Sequence, residues 1–334
     1  MKLRLSSLAL VFLTLLSPSS SRAQDSSSGT GLRSQASTAE SARFLLAPIG
    51  ARTVGMAGAV VASRADVEGV LWNPASAAGI ERPTAYFHVA NDFGTSSQVL
   101  GFLGRWQSVR LGLAYYHFGL GSIEARDESN QNLGSIALDD DALILTGGYS
   151  LSPAVDLGMS YKLVRLGSAC DGGCDSFDGK SVGHAFDLGV AADISAARGL
   201  SVGAVLRNLG PGIQFTGGST TDPMPTRLRI GASLDAVRAF FPGEDRFGVV
   251  VQADLQQTVT EFDDLETYLG AEASLRGILY VRGGYAWSAA GRQGAAVGVG
   301  LRYDRLIVDL GRAFDDFSGF DSDSPFQVTV GFGF

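Results

Sequence analysis

Phe326-Gln327-Val328-Thr329-Val330-Gly331-Phe332-Gly333-Phe334, the end of the given sequence, places an apolar side chain at every second position and stops on phenylalanine. Successive side chains of a strand point to opposite faces, so the phenylalanines and valines share one face and Gln327, Thr329, Gly331 and Gly333 the other. A strand apolar along one whole face fits lipid on that side and a lumen on the other. The stretch therefore predicts a transmembrane β-barrel.

The same alternation recurs upstream. Val109, Leu111, Leu113 and Tyr115 oppose Arg110, Gly112, Ala114 and Tyr116, and Val155, Leu157, Met159, Tyr161 and Leu163 oppose Asp156, Gly158, Ser160 and Lys162. Val182, His184, Phe186, Leu188 and Val190 oppose Asp187 and its small neighbours, and similar faces run through Phe247–Leu255 and Val297–Tyr303. Counted in this way, the chain holds about fourteen strands, centred near residues 86, 101, 113, 146, 160, 187, 204, 230, 250, 271, 281, 298, 308 and 330. Their inward faces carry charge, at Arg110, Asp156, Lys162, Asp187, Asp254, Arg282, Arg302 and Asp309. Long connections at Gly119 to Asp140, Gly167 to Ser181 and Gly210 to Asp222 alternate with tight ones at Ser152-Pro153, Arg276-Gly277 and Asp304-Arg305. With an even strand number, this pattern predicts outer loops, short periplasmic turns and both chain ends on the periplasmic side.

The start of the chain agrees with export. Met1-Lys2-Leu3-Arg4 is basic, Leu8 to Leu16 is apolar, and Ser21-Arg22-Ala23 has the small-x-small form of a cleavage site. Residues 1–23 thus read as a signal peptide, and residues 24–43, rich in Ser, Gly and Gln, as a disordered leader. No apolar run is long enough to cross a bilayer as a helix, which excludes a helical membrane protein. The expected location is the outer membrane of a Gram-negative-type bacterium. Only 18% of residues are charged while 44 are glycine, which suits an inner wall with no packed core to fill. A formal charge of -8 offers no basic stripe for a nucleic-acid partner.

Residues 44–82 differ in kind from the barrel expected over 83–334. Phe44-Leu45-Leu46-Ala47-Pro48-Ile49-Gly50-Ala51-Arg52, Gly55-Met56-Ala57-Gly58-Ala59, Asp66 and Trp72-Asn73-Pro74-Ala75 show no period of two, and their small residues permit close backbone packing. Such a segment must be buried, and the lumen is the available place; the alternative is a periplasmic strap with no plug function. These motifs, with Leu206-Arg207-Asn208-Leu209-Gly210 and Asp222-Pro223-Met224-Pro225, resemble the PorV/PorQ family of outer-membrane proteins, which belong with FadL-like barrels. The match departs at Ala57, where Gly is usual, and at Ala77-Ala78, in place of Gly-Leu. The resemblance implies fourteen strands, a segment entering the lumen, and family positions at Pro48, Gly50, Arg52, Gly55, Met56, Gly58, Asp66, Trp72, Asn73 and Pro74. It further implies either docking and shuttling of exported proteins in type IX secretion, with secretion-apparatus or cargo partners at the outer loops, or FadL-type transport of a hydrophobic ligand.

Catalysis has little support. His117 and His184 fall near strand ends on apolar faces and His88 within the first strand, positions that suit interfacial residues better than general bases. Cys170 and Cys174 flank a short Gly-rich loop, where a disulfide is expected in an exported chain; a metal site would want further ligands, and no cofactor is expected. The acid clusters Asp139-Asp140-Asp141, Asp263-Asp264 and Asp315-Asp316 read as solvated loop edges, and Trp72, Trp106, Trp287 and several tyrosines as interfacial girdles in contact with outer-membrane lipid. Three classes remain: a secretion-docking barrel, a transporter of hydrophobic compounds, and a structural barrel. The charged inner wall is a poor conduit for acyl chains unless something covers it, which favours secretion.

Overall fold

A computed structural model describes residues 40–92, 95–127, 129–174, 178–195, 198–214, 221–259, 265–315 and 326–334. The readings of residues 1–39 as a signal peptide and leader, and of Asp263-Asp264 and Asp316, lie outside the described residues.

The strands are β1 (Thr84–Asp92), β2 (Thr95–Trp106), β3 (Val109–Arg126), β4 (Asn132–Ser152), β5 (Val155–Gly172), β6 (Gly179–Ser195), β7 (Leu200–Leu209), β8 (Ile213–Gln214), β9 (Thr221–Asp222), β10 (Arg227–Asp235), β11 (Phe247–Thr258), β12 (Glu266–Leu275), β13 (Leu279–Ser288), β14 (Gln293–Tyr303), β15 (Leu306–Asp315) and β16 (Gln327–Gly333). All but β8 and β9 close into one antiparallel barrel of fourteen strands, and each predicted centre falls inside one of them. β16 completes the wall by pairing with β1, Phe87 opposite Val330 and Tyr86 opposite Gly331. The alternation read from the last residues is kept: Phe326, Val330, Phe332 and Phe334 are exposed on the outside, while Gln327 and Thr329 are buried inside.

Leu100, Phe102, Leu145, Met159, Leu188, Val281 and Val297 extend the outer face into a continuous apolar belt. A closed wall leaves no unpaired edge within that belt, so the exterior suits hydrocarbon and not water. Tight connections at 107–108, 153–154, 276–278 and 304–305, together with the longer one between Asp235 and Phe247, mark one end of the barrel, the turn end; the opposite end is the rim.

The wall is uneven. β3, β4, β5 and β6 have 18, 21, 18 and 17 residues, against 7 to 12 in the other wall strands. About eight extra residues lift this side by roughly 25 Å along the strand direction. The connections expected at Gly119 to Asp140 and Gly167 to Ser181 are therefore mostly strand, since β3 runs to Arg126, β4 starts at Asn132, β5 runs to Gly172 and β6 starts at Gly179. Above the lipid both faces of a strand meet water, so the period of two that would have revealed them fades. The connection from Ala236 to Glu244 holds the short helix α2 (Ala236–Phe240), capped by the Asp235 side chain accepting from Arg238 N–H.

Residues 40–83 run inside the barrel as short turns around one helix, α1 (Ala51–Gly55). At the rim, Glu40 pairs with Arg227 at 2.7 Å, and Ser41 N–H donates to Pro223 O at 2.9 Å. At the turn end, Arg110 Nε donates to Ile80 O at 2.6 Å. The inner segment thus traverses the lumen from the rim to the turn end before entering β1. Placing both ends of the chain on the turn side holds for the strands but not for the described start of this segment, which sits at the rim.

The abundance of inward glycine also has a different cause from the one expected. The lumen is not left unfilled; the segment's backbone touches the wall at Gly148, Gly158, Gly203, Gly270, Gly284, Gly298 and Gly311. A Cβ on Gly158 would stand 2.1 Å from Pro74 C, and one on Gly298 would stand 3.0 Å from Gly55 Cα.

Candidate functional site

The site is the seat of the inner segment. Gly50, at φ 96°, turns the chain into α1, and a Cβ there would fall 2.6 Å from Glu68 Oε2. That oxygen accepts the N–H groups of Arg52 at 2.7 Å and Thr53 at 3.4 Å, a carboxylate over the first turn of the helix. Ala51 N–H donates to Thr329 Oγ1 on β16 at 3.1 Å, and the same hydroxyl lies 3.0 Å from His88 Nδ1 on β1.

Arg52 links the segment to the wall, donating to Asp66 Oδ2 at 2.5 Å and, through Nε, to Glu272 Oε2 on β12 at 3.0 Å. The network continues along the wall: Arg282 Nε to Glu272 at 2.5 Å, Arg282 Nη1 to Asp309 Oδ1 at 2.6 Å, and Arg302 to Asp309 Oδ2 at 2.6 Å. Asp254 Oδ2 on β11 accepts the N–H groups of Val60 at 2.9 Å and Val61 at 3.0 Å, beside Arg229 at 3.2 Å. Arg229 Nη2 in turn donates to Gly58 O at 2.5 Å. Arg64 reaches Asp156 on β5 at 2.7 Å and also pairs with Asp193. Buried charges are tolerated only when paired, and here the partners are supplied both by other wall residues and by the inner segment.

Asn73 and Pro74 start a short turn of helix, with Asn73 Oδ1 accepting from Ala75 N–H at 3.1 Å. Asn73 Nδ2 donates to Val61 O at 2.8 Å within the segment and to Val190 O on β6 at 3.2 Å. Trp72 is inside, donating from Nε1 to Ile49 O at 2.9 Å, with the Arg207 guanidinium 4.3 Å from its ring. Its expected place in an interfacial girdle is thus corrected. Pro48 O accepts from Gln327 Nε2 at 3.1 Å, and Met56 is fully buried against Gly270 and Gly284. Lys162 and Asp187 stand apart from the segment: they pair at 2.7 Å, and Asn208 N–H donates to Asp187 where the β6–β7 register shifts.

The tall side differs in chemistry. Near the rim, Phe44 and Leu45 belong to a buried apolar cluster with Tyr116, Ile144, Val164, Leu166, Ile213 and Met224. The Phe44 and Tyr116 rings lie 5.3 Å apart, and the Phe44 and Phe118 rings 6.3 Å apart. Leu120 and Leu138, paired in register and half-buried, continue this face towards the rim. At the turn end, a cavity of about 220 Å³ opens between the segment and β1 and β12–β16, lined by Arg52, Arg64, Asp66, Glu68, Tyr86 and Arg302 among others.

Other expectations change. His88 is buried in the lumen, not interfacial, because strand parity turns it inward beside Tyr86. Asp139-Asp140-Asp141 lies within β4, and Asp141 is buried, accepting from Tyr115 OH at 2.5 Å and lying 2.9 Å from His117 Nδ1. Cys170 and Cys174 are bonded to each other near the tall rim. Glu68, Glu272, Arg229 and Thr329 were missed by sequence reasoning; Thr329 was legible as inward, but its partner on a non-periodic segment was not.

In fold, the chain is similar to the CymD monoaromatic hydrocarbon channel, with TM-score 0.59, 12% identity, and coverage of 87% of this chain and 98% of that one. It is similar to the Pseudomonas putida toluene transporter TodX, with TM-score 0.59, 12% identity, and coverage of 87% and 99%. A Pseudomonas aeruginosa FadL homologue aligns with TM-score 0.52, 12% identity, and coverage of 86% and 99%. No protein-family profile matches the chain, and no curated protein matches it in sequence. These likenesses support a FadL-like barrel and lend no support to the PorV/PorQ branch in particular.

Proposed function

We propose that the chain is an outer-membrane channel for small hydrophobic compounds, without catalysis of its own, and that secretion docking is not its role. The observation that carries this reading is the mainly apolar inner face of the tall side, interrupted by Asp140 opposite Phe118, which runs from Leu120 and Leu138 near the rim to Tyr116, Val164 and the head of the inner segment at Phe44. The argument for secretion rested on a charged wall, and that argument falls away. Asp254, Arg282, Asp309 and Asp156 are engaged with the segment or with one another, which leaves the rim half of β2–β6 as the apolar route. The printed names of the structures similar in fold, channels and transporters of monoaromatic hydrocarbons, make such compounds the first class to try.

The test is uptake of radiolabelled toluene and of a long-chain fatty acid by cells expressing the full chain, set against cells lacking it. Faster uptake of either is expected. Val164→Asp, which puts an unpaired charge on the apolar face, should reduce that uptake by about tenfold while the barrel still folds. Equal uptake with and without the protein would overturn the reading.

A further inference from the structure

Glu68 is buried, at 3% exposure, and belongs to the inner segment, not to a membrane-spanning strand. Its Oε2 is fully used over α1, while Oε1 has no hydrogen-bond partner among the described residues. The groups around it come from every neighbouring element. The segment itself supplies Asp66, Arg52 and Arg64, β1 supplies Tyr86 and His88, β12 Glu272, β13 Tyr280 and Arg282, β14 Arg302, β15 Asp309, and β16 the Thr329 hydroxyl. Every cation among them already has a carboxylate: Arg52 holds Asp66 and Glu272, Arg64 holds Asp156 and Asp193, Arg282 holds Glu272 and Asp309, and Arg302 holds Asp309. Arg52 and Arg302 attract Glu68 only while holding those nearer carboxylates, and Asp309 and Asp66 oppose its ionisation.

We propose that Glu68 is a proton-operated latch, holding the inner segment in its seat when protonated and loosening the turn-end cavity when ionised. The protonated carboxyl keeps its acceptor oxygen on the helix amides and gains an O–H to offer Thr329. The ionised carboxylate has lost most of its hydration and gains no counter-charge of its own. Burial first, and then Asp309 and Asp66, outweigh the Thr329 hydroxyl and the Arg52 N–H, which favour the ionised form, and push the Glu68 carboxyl up to about 7 from its ordinary 4.5. A released, hydrated Glu68 titrates near its ordinary value. The seat's advantage is therefore complete below about 4.5, is lost as pH rises towards 7, and is level above that.

This latch does not depend on what the barrel transports, so its test is separate from uptake. Hydrogen exchange on the full chain in detergent, corrected for the intrinsic pH dependence of exchange, reads the amides of Arg52, Thr53, Val60 and Val61. Peptides from β14 serve as the internal reference. Protection of the segment amides should fall about tenfold or more from pH 5 to pH 8 in the wild type and stay level in Glu68→Gln. A flat wild-type profile, or the same fall in Glu68→Gln, would overturn the latch. If Glu68→Gln does not reach a heat-modifiable folded form, acrylamide quenching of Trp72 is followed in a Trp106→Phe/Trp287→Phe background. Quenching that rises between about pH 4.5 and pH 7 and is level above supports the latch, and quenching independent of pH rejects it.

Discussion

From β10 to β16 the inner wall meets the segment with carboxylates, guanidiniums and bare backbone; near the rim, β2 to β6 meet it with hydrocarbon. The two contacts differ in kind. Ion pairs and amide hydrogen bonds have direction and partners, so they fix the register of residues 50–61 against the wall. Apolar contact has neither, and apart from the Tyr116 O–H donated to Phe44 O at 3.2 Å, the Phe44 ring can be displaced by another apolar body at a similar free energy. The charged half holds the segment, and the tall half is where it can yield.

That contrast is most severely tested at Arg282. Arg282→Leu leaves Glu272 and Asp309 buried without their shared partner and should cost about 3–5 kcal/mol, read as a lower midpoint for loss of the heat-modifiable folded band. An unchanged midpoint would mean that the charged half holds nothing. Gly158→Val comes next. Its new side chain would collide with the backbone of Pro74 and Ala75, with an expected loss of about 1–3 kcal/mol and a higher single-channel conductance as the segment is pushed off the wall. Removing the turn itself, Asn73→Ala, takes away the cap and the two amide donations and should cost about 1–2 kcal/mol in the same melting assay. Tyr161→Phe, on the outer face, loses only an exposed hydrogen bond to His184 and should shift stability by about 0.5 kcal/mol or less. A larger shift there would blur the distinction between seat and exterior.

Strand positions were legible because lipid on one side and a lumen on the other force a period of two, as at Leu157, Met159 and Leu163 against Asp156, Ser160 and Lys162. The rule fails where its cause fails. Beyond Leu120 both faces of β3 meet water, and the strand was read as a loop. Inward charge was legible for the same reason as outward hydrocarbon, but its meaning was not, since Asp254 accepts from amides far away in the chain, at Val60 and Val61. Glu68 lay in a segment without any period, two residues from the Asp66 that had been noticed. Strand parity could have placed His88 inside; the reading of histidine as interfacial overrode it.

The direction of the inner segment bears on assembly. It precedes β1 in the chain, spans the lumen from rim to turn end, and is enclosed once Thr84 to Ala90 pair with Gly333 to Gln327. A closed ladder admits nothing through the wall, so the segment reaches its seat either before the first and last strands join or through the mouth at the turn end, where it runs into β1. By either route folding includes seating the segment against the inner wall as well as pairing the strands. A variant lacking residues 44–78 has nothing to seat and can close its seam as an empty ring.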